Sequence, residues 1–147
     1  MALYEHTQPG NVIRWIIGII LVASLFSAFV LGQKDVKNVT FFVVPLLSGV
    51  LLLFWSLTIT VTDTHLSHSF NLDFWQRSYP FTDIKRVSKV RNSWLYGYGI
   101  RFIGSGWLYN VSGHDAILIE FKNGKLVRIG TDDQENLYTI LSQQLEE

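Results

Sequence analysis

VTFFVVPLLSGVLLLFWSLTITV, residues Val39 to Val61, decides how this chain folds. Up to Leu57 it is almost wholly apolar and carries no charge. A bilayer span needs roughly 20 such residues, and Val39–Leu57 meets that length. Its last six residues, Ser56 to Val61, alternate and favour β-branched side chains, the pattern of a strand with one buried face. The sequence therefore predicts a membrane span that runs into a β-strand with no linker between them.

A second apolar run, Val12 to Leu31, lies upstream and is interrupted only by Arg14. Arg14 sits near enough to the end to reach the headgroups while its stem stays in the apolar layer. A cleaved signal peptide is the competing interpretation. It asks for a basic leading region, a shorter apolar core and a small-residue cleavage site. Only Glu5 is charged before Arg14, and Leu31-Gly32-Gln33 is a poor cleavage site. Gly32 to Asn38 leaves room for a tight connection, so the two spans form an antiparallel hairpin. Trp15 and Trp55 then fall at one end, as interfacial aromatics do. Ala23 with Ser27, and Ser24 with Ala28, are small residues four apart that let helices approach. Pro45 is predicted in the first two turns of the second span, where it costs least. Charge leaves orientation undecided, with Lys34 and Lys37 in the connection against Arg14 and Arg77 on the other side.

Composition agrees with this division. Hydrophobic residues make up 48% of the chain, and the formal net charge is +0. Only Glu5, Arg14, Lys34, Asp35 and Lys37 are charged before Val61. A neutral chain offers no broad basic field for nucleic acid. The chain has no cysteine, which removes disulfides, thiol catalysis and thiolate metal sites. The expected organisation is a tail over 1–11, a transmembrane hairpin over 12–58 (spans 12–31 and 39–57), and a mainly-β domain over 59–147.

Within that domain, strands are predicted at 57–61, 65–70, 74–79, 84–90 with a bulge, 100–103, 107–111, 116–121 and 126–129. Asn123-Gly124 reads as a two-residue type I′ turn that pairs Phe121 with Leu126. That register would put Ile117, Ile119, Phe121 and Leu126 on one face. Thr131 with Gln134 reads as a capping box. Leu137, Ile140, Leu141 and Leu145 then form the apolar stripe of a closing helix. The fold class is a two-helix transmembrane hairpin plus about seven antiparallel strands in a bent sandwich or partial barrel, capped by a C-terminal helix.

Gly99-Ile-Arg101, Gly106 through Gly113, and Phe121-Lys-Asn-Gly-Lys through Thr131 carry a resemblance to pleckstrin-homology (PH) domains. The chain resembles most the small bacterial PH-like domains found in short membrane proteins. The resemblance runs from about Leu57 onward and implies a cytoplasm-facing domain, with the N-terminus on the same side, at a bacterial inner membrane. It also implies self-association. Phosphoinositide-binding PH domains carry a basic cluster at the first hairpin; here Thr62-Asp-Thr-His65 has no Lys or Arg. The helix tryptophan of eukaryotic PH domains is also missing.

Two groups of residues stand out as candidate sites. Lys85, Lys89 and Arg91 share one face of a strand, with Arg86 beside them, and could meet anionic headgroups near a bilayer. The plainer alternative is a solvated strand face. Tyr96, Tyr98, Trp107 and Tyr109 could form an aromatic ledge for a partner, or could fill a small core. His65, His68 and His114 with Asp63 and Asp115 suggest a metal, but positions 65 and 68 point to opposite faces. Gly97, Gly99, Gly104 and Gly106 precede strands rather than a helix, so they read as bends and not as a phosphate loop. No nucleophile lies beside a base at any readable spacing. The expectation is a membrane-anchored, non-enzymatic interaction or scaffold module, without cofactor, whose partners are the bilayer and a protein or a second copy. Anionic-lipid sensing through residues 85–91 is the alternative, and a small membrane enzyme is the least supported.

Overall fold

The structure, a computed structural model, describes residues 2–146. In chain order it comprises β1 (Ala2–Pro9), α1 (Asn11–Leu31), α2 (Lys34–Leu53), β2 (Ser56–Thr62), β3 (His65–Phe70), β4 (Arg77–Pro80), β5 (Ile84–Arg91), β6 (Gly99–Phe102), β7 (Trp107–Asn110), β8 (Asp115–Phe121), β9 (Leu126–Gly130) and α3 (Gln134–Glu146). Both α1 and α2 are long and apolar enough to cross a membrane. Most of their side chains are exposed, as lipid-facing helices require. Ser24 Oγ donates to Thr40 Oγ1 at 3.4 Å and ties the two helices together.

The second span is shifted from its predicted bounds of 39–57. Gly32 takes a left-handed conformation at the end of α1, and α2 begins at Lys34, so only Gly32 and Gln33 connect the helices. Asp35 favours that early start because it complements the positive helix N-terminus. At the other end Ser56 and Leu57 leave the helix for the β2 ladder. Pro45 consequently sits mid-helix, where it lacks the N–H that would bond the carbonyl four residues back.

The stretch expected to be a tail is a strand. β1 pairs antiparallel with β2 from Pro9↔Ser56 up to Tyr4↔Val61. The hairpin is thus inserted between two neighbouring strands of one sheet. Gly10 makes the junction: its N–H donates to Trp55 O at 2.9 Å, and its own carbonyl accepts the first α1 bond, from Arg14. A Cβ on Gly10 would come within 2.6 Å of the Phe54 carbonyl oxygen, so this crossing excludes a side chain.

The strands form two sheets, β1-β2-β3-β4 and β5-β8-β9-β7-β6. They pack through one apolar core and do not close into a barrel. Leu57, Ile59, Val61, Leu66 and Phe70 come from the first sheet. Ile84, Val87, Tyr109, Ile117, Ile119, Phe121, Val127 and Ile129 come from the second, and Leu137 and Leu141 of α3 join them. Among the described residues nine strands stand against the expected seven or so: the eight predicted stretches correspond to β2–β9, and β1 is the addition. β7 pairs with β9 in parallel, outside the all-antiparallel expectation. The expected bulge in β5 is present between Ile84 and Arg86.

Three local expectations fail, each for a physical reason. The strand predicted over 74–79 shrinks to β4, because Leu72, Asp73 and Trp75 adopt positive φ and turn the chain before Arg77. At the Asn123-Gly124 turn, Phe121 N–H donates to Lys125 O and Glu120 lies opposite Leu126. The loop therefore holds three residues, with Gly124 at φ +83°. Val127 and Ile129 enter the core, and Leu126 is left half-buried. The capping box does not form. Thr131 Oγ1 accepts from Asp133 N–H, but Gln134 Nε2 donates to Val90 O at 2.9 Å and Ala116 O at 2.7 Å. Gln134 pins the helix to the sheet instead of closing its own N-terminus.

Candidate functional site

The end of the domain from which the hairpin leaves is the richest surface. Arg14, one turn into α1, donates from Nη2 to Trp55 O at 3.0 Å. Its guanidinium lies 3.8 Å from the centre of the Trp55 ring. One arginine thus joins both helix ends to the first rung of β1–β2, by a charge-assisted hydrogen bond and a cation–π contact.

The connections between strands gather around this junction. Asn71 Nδ2 donates to Leu52 O at 2.8 Å, and Phe54 packs edge-on against Phe70 and Phe74. The β3–β4 connection, 71–76, therefore lies against the end of α2. It holds out Leu72, 78% exposed, and Trp75, over whose ring Arg77 sits. The β5–β6 connection reaches the same end: Gly97, Tyr98 and Gly99 border one cleft with Ile13, Ile16 and Ile17 of α1. It holds out Trp94, 76% exposed, and Leu95, 72% exposed. The β7–β8 connection closes the group, with Gln8 Nε2 donating to Ser112 O at 2.9 Å and Asn92 N–H to His114 O at 2.7 Å. Large apolar side chains held out of loops are costly in water but suit the membrane–water interface, where Trp concentrates.

The residues singled out from sequence are distributed differently. Lys85 Nζ and Arg86 Nη2 both pair with Glu120, at 2.7 and 2.6 Å. Hydrogen bonds from Lys85 and then Arg86 hold the Glu120 carboxyl below its usual range. Lys89 pairs with Glu135 at 2.9 Å and lies 5.3 Å from the Tyr138 ring. Arg91 is exposed at the end of β5 that leads to Trp94. The basic face is largely neutralised by its own acids, and only its Arg91 end adjoins the hairpin side.

The aromatic ledge divides as well. Tyr109 is 5% exposed and belongs to the core; its ring lies 4.3 Å from that of His68. Tyr98 packs inward beside the hairpin. Tyr96 stacks with Arg128 at 5.6 Å, and Trp107 meets Phe102 edge-on at 5.6 Å. What stays accessible is a groove of about 400 Å³ over Leu95, Tyr96, Arg101, Phe102 and Ile103, on the open edge of the second sheet. Leu72, Trp75 and Leu95 escaped the sequence reading as site residues, as did Arg101; Trp94 begins the aromatic run that it did single out. The signal for Leu72 was an apolar side chain between Asn71 and Asp73, two turn-forming residues.

Three histidines stay apart, as alternation implies. His65 is exposed, His68 is 1% exposed and His114 lies half-buried in the β7–β8 connection. The His68 ring reaches the Tyr79 hydroxyl at 3.3 Å, and its Nδ1 is buried without a partner. Burial, helped by Arg77, pushes its pKa down to about 3, so it is a neutral core residue. Burial also raises the Tyr79 hydroxyl, with Tyr109 adding to the effect.

No family model, curated protein or solved structure matches this chain.

Proposed function

We propose that this chain is a two-span membrane protein whose β domain is a non-enzymatic interaction module, held at a fixed angle to the bilayer and presenting its β6 edge to a protein partner. The observation that carries the proposal is the accessible groove over Leu95, Tyr96 and Phe102 beside the unpaired edge of β6. Exposed apolar surface flanking an open strand edge is a recurrent peptide-docking arrangement. The strand-paired hairpin junction supports the positioning role, because a domain joined through two paired strands cannot swing like one on a linker. Kinship with PH-like domains draws support only from the coarse order of two packed sheets followed by a helix. The parallel β7–β9 pair lies outside that pattern, so the function proposed here does not lean on it. A bacterial inner membrane with the domain and N-terminus cytoplasmic rests on the same kinship.

A photo-crosslinking residue at Phe102, in the full-length protein in native membranes, tests the role. Discrete products of higher mass, the first candidate being a second copy of this chain, are expected. Leu95→Asp should abolish them, and a probe at Asn123 should give none. Absence of discrete products at Phe102 would contradict an interaction role for this edge.

A further inference from the structure

A cleft of about 450 Å³ separates the hairpin from the start of β6. Its walls are apolar: Ile13, Ile16 and Ile17 of α1, Val50 and Phe54 at the end of α2, and Tyr98. Arg101 lines it too, and also borders the groove at the β6 edge. The volume lies within the usual range for small-molecule sites. Ile16 and Ile17 lie five and six residues into α1, roughly 8–9 Å along the axis at 1.5 Å per residue. For a spanning α1, that depth is where headgroups give way to acyl chains.

Arg101 is held in position. Its Nε–H donates to Tyr98 O at 2.9 Å, and the guanidinium folds over Gly97, where a Cβ would approach its Cζ and Nε to 3.2 Å. Gly97 itself has φ +66°. This orients the fork, and among the described residues neither terminal nitrogen has a hydrogen-bond partner. Among the described residues no carboxylate pairs with Arg101, in contrast to Lys85, Arg86 and Lys89. An oriented, unneutralised guanidinium suits the paired oxygens of a phosphate. We infer that this cleft seats one anionic phospholipid, its phosphate on Arg101 and an acyl chain against Ile13, Ile17, Val50 and Phe54. The occupant follows from position: the cleft walls are the faces of the apolar helices themselves, so bilayer lipid is the molecule at hand. The inference rests on the hairpin spanning a bilayer and not on the protein-partner role of the β6 edge. It also moves lipid recognition away from residues 85–91.

The test is native mass spectrometry of the full-length protein after equilibration with equal amounts of phosphatidylglycerol and phosphatidylcholine. The wild-type chain should retain one phosphatidylglycerol, favoured about tenfold over phosphatidylcholine, because the choline cation competes with Arg101 for the phosphate that both lipids carry and leaves that lipid with no net charge. Arg101→Gln should remove that preference. Gly97→Ala, which keeps the charge but displaces the fork, should weaken it. The double change Lys85→Gln, Lys89→Gln should leave it intact. Equal retention of the two lipids, an unchanged preference in Arg101→Gln, or an equal loss in the Lys85/Lys89 double variant would each overturn the inference. None of these results depends on the crosslinking at Phe102.

Discussion

His68 shows how strongly position overrides residue type. It alternates with Leu66 and Phe70, so it points into the sandwich, where the Tyr79 and Tyr109 rings flank it. Burial lowers its pKa from the ordinary 6.5 to about 3. In that window the unfolded chain binds a proton at this ring and the folded chain does not. Stability therefore falls as pH drops through the window and is independent of this ring above it. One such group contributes a slope of at most about 1.4 kcal/mol per pH unit. His68→Phe keeps an aromatic ring in the core and removes the proton site. Urea unfolding of the full-length protein in detergent between pH 7 and 4 should show the variant losing stability less steeply than the wild type. Parallel slopes would show that His68 is protonated in the fold, against the burial described here.

Among the elements, β1 changes the account of the molecule most. Residues 2–9 lie before an apolar helix and carry no strong strand signature, so local pattern reads them as a tail. Their strand state comes from β2, a partner 51 positions away at Thr7↔Thr58, and no local pattern encodes such a pairing. The β7–β9 pairing was hidden for the same reason. Alternation and turn chemistry did place β2, β3, β5, β8 and α3, because one face of each is buried and the period records it. The Asn123-Gly124 turn was visible, but its loop length was not, and one residue of loop changed which side chains enter the core. For the candidate site, the sequence exposed the charged run and the aromatics. It could not show that Glu120 and Glu135 neutralise Lys85 and Lys89, nor that Tyr109 is core. A fragment limited to 59–147 lacks β1 and the buried Leu57. Losing one such leucine costs about 2–5 kcal/mol, a large part of a typical total of about 5–15 kcal/mol. Circular dichroism and protease digestion should find that fragment unfolded. Joining Pro9 to Ser56 by an Asn-Gly turn, in place of 10–55, should restore a folded soluble domain, since those residues are already paired. An equally folded 59–147 fragment would show β1 to be dispensable.

At the scale of the whole molecule, the hairpin and domain are joined through two paired strands and not through a linker. The chain enters the hairpin from β1 and returns into β2, so any tilt of the helices passes directly to the sheet. Trp15, Trp55, Leu72, Trp75 and Trp94 are all exposed and have the side chains that suit a membrane–water interface, while Asn123 lies in the β8–β9 turn, by the end of β5 away from Trp94. The absence of cysteine makes single-site spin labelling clean. The decisive measurement places one label at a time at Leu72, Trp94 and Asn123 of the full-length protein in liposomes. Power saturation then compares access to oxygen with access to a water-soluble nickel chelate. The account predicts that Leu72 and Trp94 are oxygen-accessible and shielded from nickel, while Asn123 shows the reverse. Nickel access at Leu72 and Trp94 equal to that at Asn123 would contradict it, leaving a domain that stands clear of the membrane.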